Sequence, residues 1–97
     1  MDSYNVVLSE NALKDLKKID RIKLPEQQVA RIFNAIKSLG NDPRPPGCKR
    51  LQKTAVPLYR VKVGRKGYRI IYQIDDASKI VDVLYIRHRR TAYRVVR

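Results

Sequence analysis

Apolar residues recur at helical spacing in the first half of the chain and alternate with polar ones in the second. Residues 4–8 are short and β-prone, which predicts a first strand. Ser9 is a good N-cap for the segment that follows. Ala12, Leu13, Leu16 and Ile19 then repeat with a helical period, leaving Lys14, Asp15, Lys17 and Lys18 for the polar face. A second helix is expected from Leu24-Pro25-Glu26, because proline suits the first helical position and an acid there complements the helix dipole. Its apolar stripe is Val29, Ile32, Phe33, Ile36 and Leu39; Lys37 falls in the last turn and Gly40 reads as the stop. Residues 41–47 hold three prolines and cannot continue a helix. Beyond them the period becomes two. Strands are predicted at 48–53, 58–63, 68–74 and 80–87, with turns at 64–67 and 75–79. Residues 88–97 are basic and fit either a short helix or an arm. The order predicts one α+β domain over residues 1–97. Its N-terminal strand and helical hairpin would pack on an antiparallel sheet of three to four strands, ahead of the short basic C-terminal segment.

Side-chain alternation assigns faces. If Val63 pairs with Tyr68 across the 64–67 turn, Lys62 lies opposite Arg69 and Arg60 opposite Ile71. Tyr59, Val61, Val63, Tyr68, Ile70, Tyr72 and Ile74 then share an apolar face for the helices to cover. Arg60, Lys62 and Arg69 share the other. Like charges directly opposite are mildly destabilising, and an anion bound between them would relieve the cost. Pairing Ile74 with Ile80 would add Val81, Val83, Tyr85 and Arg87 to the cationic face, with Arg89 next by parity. It would also place Asp82 toward the core.

Charge sharpens this picture. The 97 residues carry 22 Lys and Arg against nine Asp and Glu, a net charge of +13. Residues 1–47 hold eight basic and six acidic residues, and residues 48–97 hold fourteen and three. From Lys49 to Arg69 come Lys49, Arg50, Lys53, Arg60, Lys62, Arg65, Lys66 and Arg69 without a single acid. A polyanion is the natural partner for such a half, either nucleic acid or an acidic protein. With 43% hydrophobic residues the chain is a folding globule and not a disordered basic tail. No apolar run approaches the roughly 18 residues of a membrane span. Asp2, Glu10, Asp15 and Asp20 make the start unlike a signal or transit peptide. The one cysteine, Cys48, cannot pair internally. A reducing, cytoplasmic setting is expected.

The inventory narrows the chemistry. No glutamate follows Glu26 and the later aspartates are scattered, which disfavours a two-metal nuclease. One histidine cannot make a two-histidine ribonuclease. The segment 64–67 matches no phosphate-cradling loop. What remains is a basic face with Tyr85, His88, Arg89, Arg90 and Tyr93 near the C-terminus. RNA carries its own nucleophile, the 2′-hydroxyl. A site that positions it, removes its proton and stabilises charge on phosphorus needs neither metal nor cofactor.

At these residues the chain resembles the RelE/ParE superfamily of bacterial toxins. The resemblance spans nearly the whole sequence and centres on Tyr59-Arg60-Val61-Lys62, Gly67-Tyr68-Arg69-Ile70-Ile71-Tyr72 and His88-Arg89-Arg90-Thr91-Ala92-Tyr93. The last two segments together favour the RelE branch over ParE. The resemblance implies a RelE-like fold and the toxin of a type II toxin–antitoxin system. Its activity would be that of a metal-independent endoribonuclease cutting mRNA in the ribosomal A site and so inhibiting translation. Catalytic roles would fall on Arg60, Lys62, Arg69, Arg89 and Tyr93. Arginine is a poor proton acceptor, so the general base is open among Lys62, Tyr93 and His88. The catalytic arginine is open between Arg89 and Arg90. Lys49, Arg50, Lys53, Arg65, Lys66, Arg87 and Arg90 would contact RNA or ribosome. The implied partners are ribosome, mRNA and a RelB-like antitoxin, an acidic or amphipathic segment in a hetero-oligomer, with no membrane involved. A ParE-like gyrase inhibitor and a non-catalytic RNA-binding module are the other readings.

Overall fold

The computed structural model describes residues 3–51, 54–64 and 67–88. Strand β1 (Asn5–Leu8) leads into α1 (Glu10–Arg21) and α2 (Glu26–Asn41). Strands β2 (Lys49–Arg50), β3 (Tyr59–Val63), β4 (Tyr68–Asp75) and β5 (Ile80–His88) follow. The sheet runs β1-β5-β4-β3-β2. It is mixed rather than wholly antiparallel, because β1 pairs in parallel with the first half of β5. The N-terminal strand thus belongs to the sheet it was expected to pack on, and the described residues make five strands.

Ser9 ends β1 and caps α1. Its Oγ accepts the Ala12 N–H at 3.1 Å and donates to the Leu84 carbonyl at 2.9 Å. One hydroxyl therefore satisfies an orphan helix donor and ties the helix start to β5. Proline 25 is the N-cap of α2 rather than its first residue. Helix α2 passes through Gly40, which was expected to stop it, and reaches Asn41. The glycine is there for space. A Cβ at that position would meet the Tyr4 carbonyl at 3.0 Å and the Val6 side chain at 3.2 Å, where Tyr4 N–H bonds the Gly40 carbonyl.

Ile32, Ile36 and Leu39 of α2, with Ala12 and Ile19 of α1, pack on Val63, Tyr68, Ile70, Tyr72, Val81, Val83 and Ile86 of the sheet. At about 1.5–3 kcal/mol per fully buried large side chain, this layer supplies most of the drive to fold. Three stripe residues, Leu13, Val29 and Phe33, lie outside it. Leu13 and Phe33 are 47% and 46% exposed and line a groove of about 540 Å³ between the helices, with Leu16, Val29 and Ile32. Asp15, assigned to the polar face, is buried at 3% exposure. It follows Ala12 by three residues and precedes Ile19 by four, so it turns inward with them.

The β3–β4 register is the one expected, Val63 with Tyr68, Lys62 with Arg69 and Arg60 with Ile71. The β4–β5 register is not. Asp75 pairs with Ile80 and Ile74 with Val81, one step from the expected Ile74–Ile80 pair. The turn sets the difference. Asp75 Oδ1 accepts the Ser78 N–H at 3.1 Å, and Lys79 closes the turn in the left-handed region at φ 57°. Val81 and Val83 therefore enter the core and do not join the cationic face. Asp82 pairs with Gln73 on the opposite face, where burial raises its pKa. Tyr72 then pairs with Val83 but Ile71 with Tyr85, so Leu84 is an extra residue in β5. This bulge restores parity and returns Tyr85 and Arg87 to the face expected for them.

Loop 42–48 is pinned from both sides. Tyr72 donates its hydroxyl to the Pro43 carbonyl at 2.7 Å, and burial pushes that phenol's pKa up. Arg44 makes a forked pair with Asp76 at 3.0 and 3.3 Å while Tyr4 donates to the same carboxylate at 2.6 Å. Among the described residues no helix is long and apolar enough to cross a membrane.

Candidate functional site

The helices leave one face of the sheet uncovered. Two rows of directly paired residues cross it. One row runs Lys49–Arg60–Ile71–Tyr85 through β2, β3, β4 and β5. The next runs Lys62–Arg69–Arg87 through β3, β4 and β5. Five of the predicted cations thus share a surface. Beneath them lies a second apolar cluster, Leu58 and Ile71 with Leu51, Leu84 and Tyr85 packed against them.

Arg60 has sunk into this surface and is only 8% exposed. Its Nη1 and the Nε of Arg69 are buried without a hydrogen-bond partner among the described residues. Leaving such a donor unsatisfied costs about 1–3 kcal/mol, more when the group is charged. Lys62 and Arg69 oppose each other directly, a further small cost. No ion pair among the described residues engages Arg60, Lys62 or Arg69. A bound anion would relieve both costs, since a phosphate oxygen accepts well from guanidinium and ammonium donors in a surface of low dielectric.

Arg87 is held differently. Its Nε lies 3.2 Å from both carboxylate oxygens of Asp15, and its guanidinium carbon sits 4.8 Å from the Tyr85 ring centroid. Asp15 also accepts the Ile86 N–H at 3.0 Å, just beyond the point where β1 stops pairing with β5.

Two predicted residues, Arg50 and His88, are not on this surface. Arg50 is exposed but pairs with Tyr59, so it alternates to the other side of β2. His88 pairs with Tyr68 and meets that ring edge-on at 5.6 Å, on the helix side of the sheet. The contact explains Gly67, where φ is +85° and a Cβ would come 2.9 Å from His88 Nε2. Lys53, Arg65, Lys66, Arg89, Arg90 and Tyr93 lie outside the described residues. Sequence reasoning missed Asp15 and the apolar floor. For Asp15 the signal was its place on the Ala12–Ile19 stripe. For the floor, the bulge at Leu84 had no local signature.

Comparison with known proteins agrees with the fold. Residues 6–93 match the family described as the ParE toxin of the type II toxin–antitoxin system parDE. The chain is 30% identical over 93 residues to toxin RelE of Mycobacterium tuberculosis, covering 95% of this chain and 88% of that protein. A RelBE toxin–antitoxin complex from Mycobacterium tuberculosis superposes with a TM-score of 0.72 at 28% identity, over 92% of this chain and 94% of that one. The archaeal RelE–RelB complex from Pyrococcus horikoshii OT3 gives 0.70 at 26% identity, over 93% and 99%. Matched along nearly its whole length by sequence and by fold, this chain belongs to the RelE/ParE superfamily of type II toxin–antitoxin toxins.

Proposed function

We propose that this toxin is a RelE-type endoribonuclease that cleaves mRNA in the ribosomal A site of the cytoplasm without a metal ion. The reading is supported above all by Arg60 Nη1 and Arg69 Nε, buried and unpartnered among the described residues beside Lys62, on the face that the helices leave open. The 2′-oxygen attacks phosphorus, the bond to the 5′-oxygen breaks, and a cyclic phosphate and a 5′-hydroxyl result. Arg60 and Arg69 hold the phosphate and bear the charge that grows on it in the transition state. The proton from the 2′-hydroxyl goes to Lys62 acting as the neutral amine or to Tyr93 acting as the phenolate. His88 is turned to the other side of the sheet and is left out of this role. Arg89 or Arg90 stabilises the charge on the departing 5′-oxygen, which takes its proton from water. Lys49 and Arg87 extend the phosphate-binding surface, with Lys53, Arg65 and Lys66 as further contacts to RNA or ribosome. A RelB-like antitoxin, acidic or amphipathic, neutralises the toxin in a hetero-oligomer.

The test is cleavage of mRNA on programmed ribosomes, mapped by primer extension. Arg69→Ala should lower the rate by about 10²–10³ with the thermal melt preserved, the usual cost of removing one oxyanion-type donor. A fully active variant would end the assignment. The ParE family match favours a second reading, a gyrase inhibitor that binds and cuts nothing. Loss of gyrase supercoiling with transcripts left intact would establish that reading instead.

A further inference from the structure

Asp15 is the one acid buried in α1, and it does two things at the edge of β5. Its Oδ2 accepts the Ile86 N–H, and both its oxygens contact Arg87 Nε. Arginine has five donors, and this contact occupies only the innermost. The two terminal nitrogens have no partner among the described residues, and the guanidinium lies over Tyr85, part of the cationic face. Arg87 stands directly opposite Arg69, which stands opposite Lys62. A free Arg87 would swing away from two neighbouring cations into water. A carboxylate fixed in the helix behind it holds it in the row.

We propose that Asp15 is a positioning residue for phosphate recognition, clamping Arg87 by its Nε so that the terminal guanidinium nitrogens extend the Lys62–Arg69 row to the edge of β5 and take a second RNA phosphate. The inference rests on reading this face as an RNA site. A carboxylate beside a phosphate-binding arginine also weakens its local field, so the sign of the effect is informative. Clamping predicts that removing the carboxylate weakens RNA binding. Masking predicts that it tightens.

Asp15→Asn keeps an acceptor for the Ile86 N–H while removing the charge that holds Arg87. Affinity for a short single-stranded RNA, followed by fluorescence anisotropy, is measured for wild type, Asp15→Asn, Arg87→Gln and the double variant. Cleavage on programmed ribosomes is measured in parallel. Each single variant should weaken RNA binding and raise KM about tenfold, as for one charge-assisted hydrogen bond, with kcat held within about twofold. The double variant should be no worse than Arg87→Gln alone, because Asp15 then has nothing to position. Multiplied losses in the double variant, tighter binding by Asp15→Asn, or no change with Asp15→Asn would each overturn the inference. A wild type that binds RNA with this non-additive pattern yet cleaves nothing would keep the inference and end the nuclease reading. A wild type that binds no RNA would end both.

Discussion

Lys62 and Arg69 stand directly opposite each other across β3 and β4, two cations in register without a carboxylate partner among the described residues. The fold is therefore less stable than it could be at this pair. Lys62→Glu would convert repulsion into a cross-strand ion pair worth up to about 1 kcal/mol. For a chain of this size that raises Tm by about 4–8 °C. The same change places an acid in the proposed phosphate site, so RNA affinity should fall at least tenfold. A thermal melt and an RNA titration on one preparation check both signs.

Gly40 sits one residue from the end of α2, where helix propensity alone favours alanine by about 1 kcal/mol. The close approach of the Tyr4 carbonyl reverses the expectation. Gly40→Ala should destabilise by about 1–3 kcal/mol, the range for forcing atoms into a packed site. The midpoint of urea denaturation measures it, and a stabilised variant would show that β1 can move aside.

Aspartate is as good an N-cap as serine, so Ser9→Asp looks conservative for α1. It is not conservative for β5. An ionised carboxylate has no proton to give the Leu84 carbonyl, which Ser9 Oγ supplies now. We expect a loss of about 1–3 kcal/mol in denaturant unfolding. Ser9→Thr, which keeps both bonds, should stay within about 1 kcal/mol of wild type.

Asp76 receives donors from Arg44 and Tyr4, and these hydrogen bonds hold its pKa down to about 2. An ordinary unfolded aspartate titrates at about 3.9. The folded value is the lower one, so the stabilisation is complete above about pH 4 and disappears as pH falls toward about 2. Wild type and Asp76→Asn should therefore differ in Tm at neutral pH and converge through that acid window. A gap that stays constant from pH 6 to pH 2 would assign the difference to something other than the carboxylate charge.

Much of the fold was legible because local signals agreed with the global one. The hairpin between β3 and β4 is flanked by Gly64 and Gly67, both at positive φ, so its turn length and its alternating side chains specify the same register. That register puts Arg60, Lys62 and Arg69 on one face. The next hairpin was misread because its turn closes through Lys79, a residue with no outward sign of a left-handed conformation. The Leu84 bulge was illegible for another reason. It forms where β1 runs out and Ser9 takes over, a contact 75 residues away in sequence. The parallel pairing of β1 with β5 is equally non-local. Asp15 was misassigned because residue type outweighed position, although its spacing from Ala12 and Ile19 pointed inward.

The Asp15–Ile86 contact also bears on the company this protein keeps. Beyond Leu8 the outer flank of β5 would offer a free main-chain donor to any passing strand, and the helix carboxylate takes that donor instead. At the far flank, β2 is two residues long and made of lysine and arginine. The second half of β5 and the β2 margin are thus poor templates for an added strand, and the positive charge of the chain adds repulsion to a second copy there.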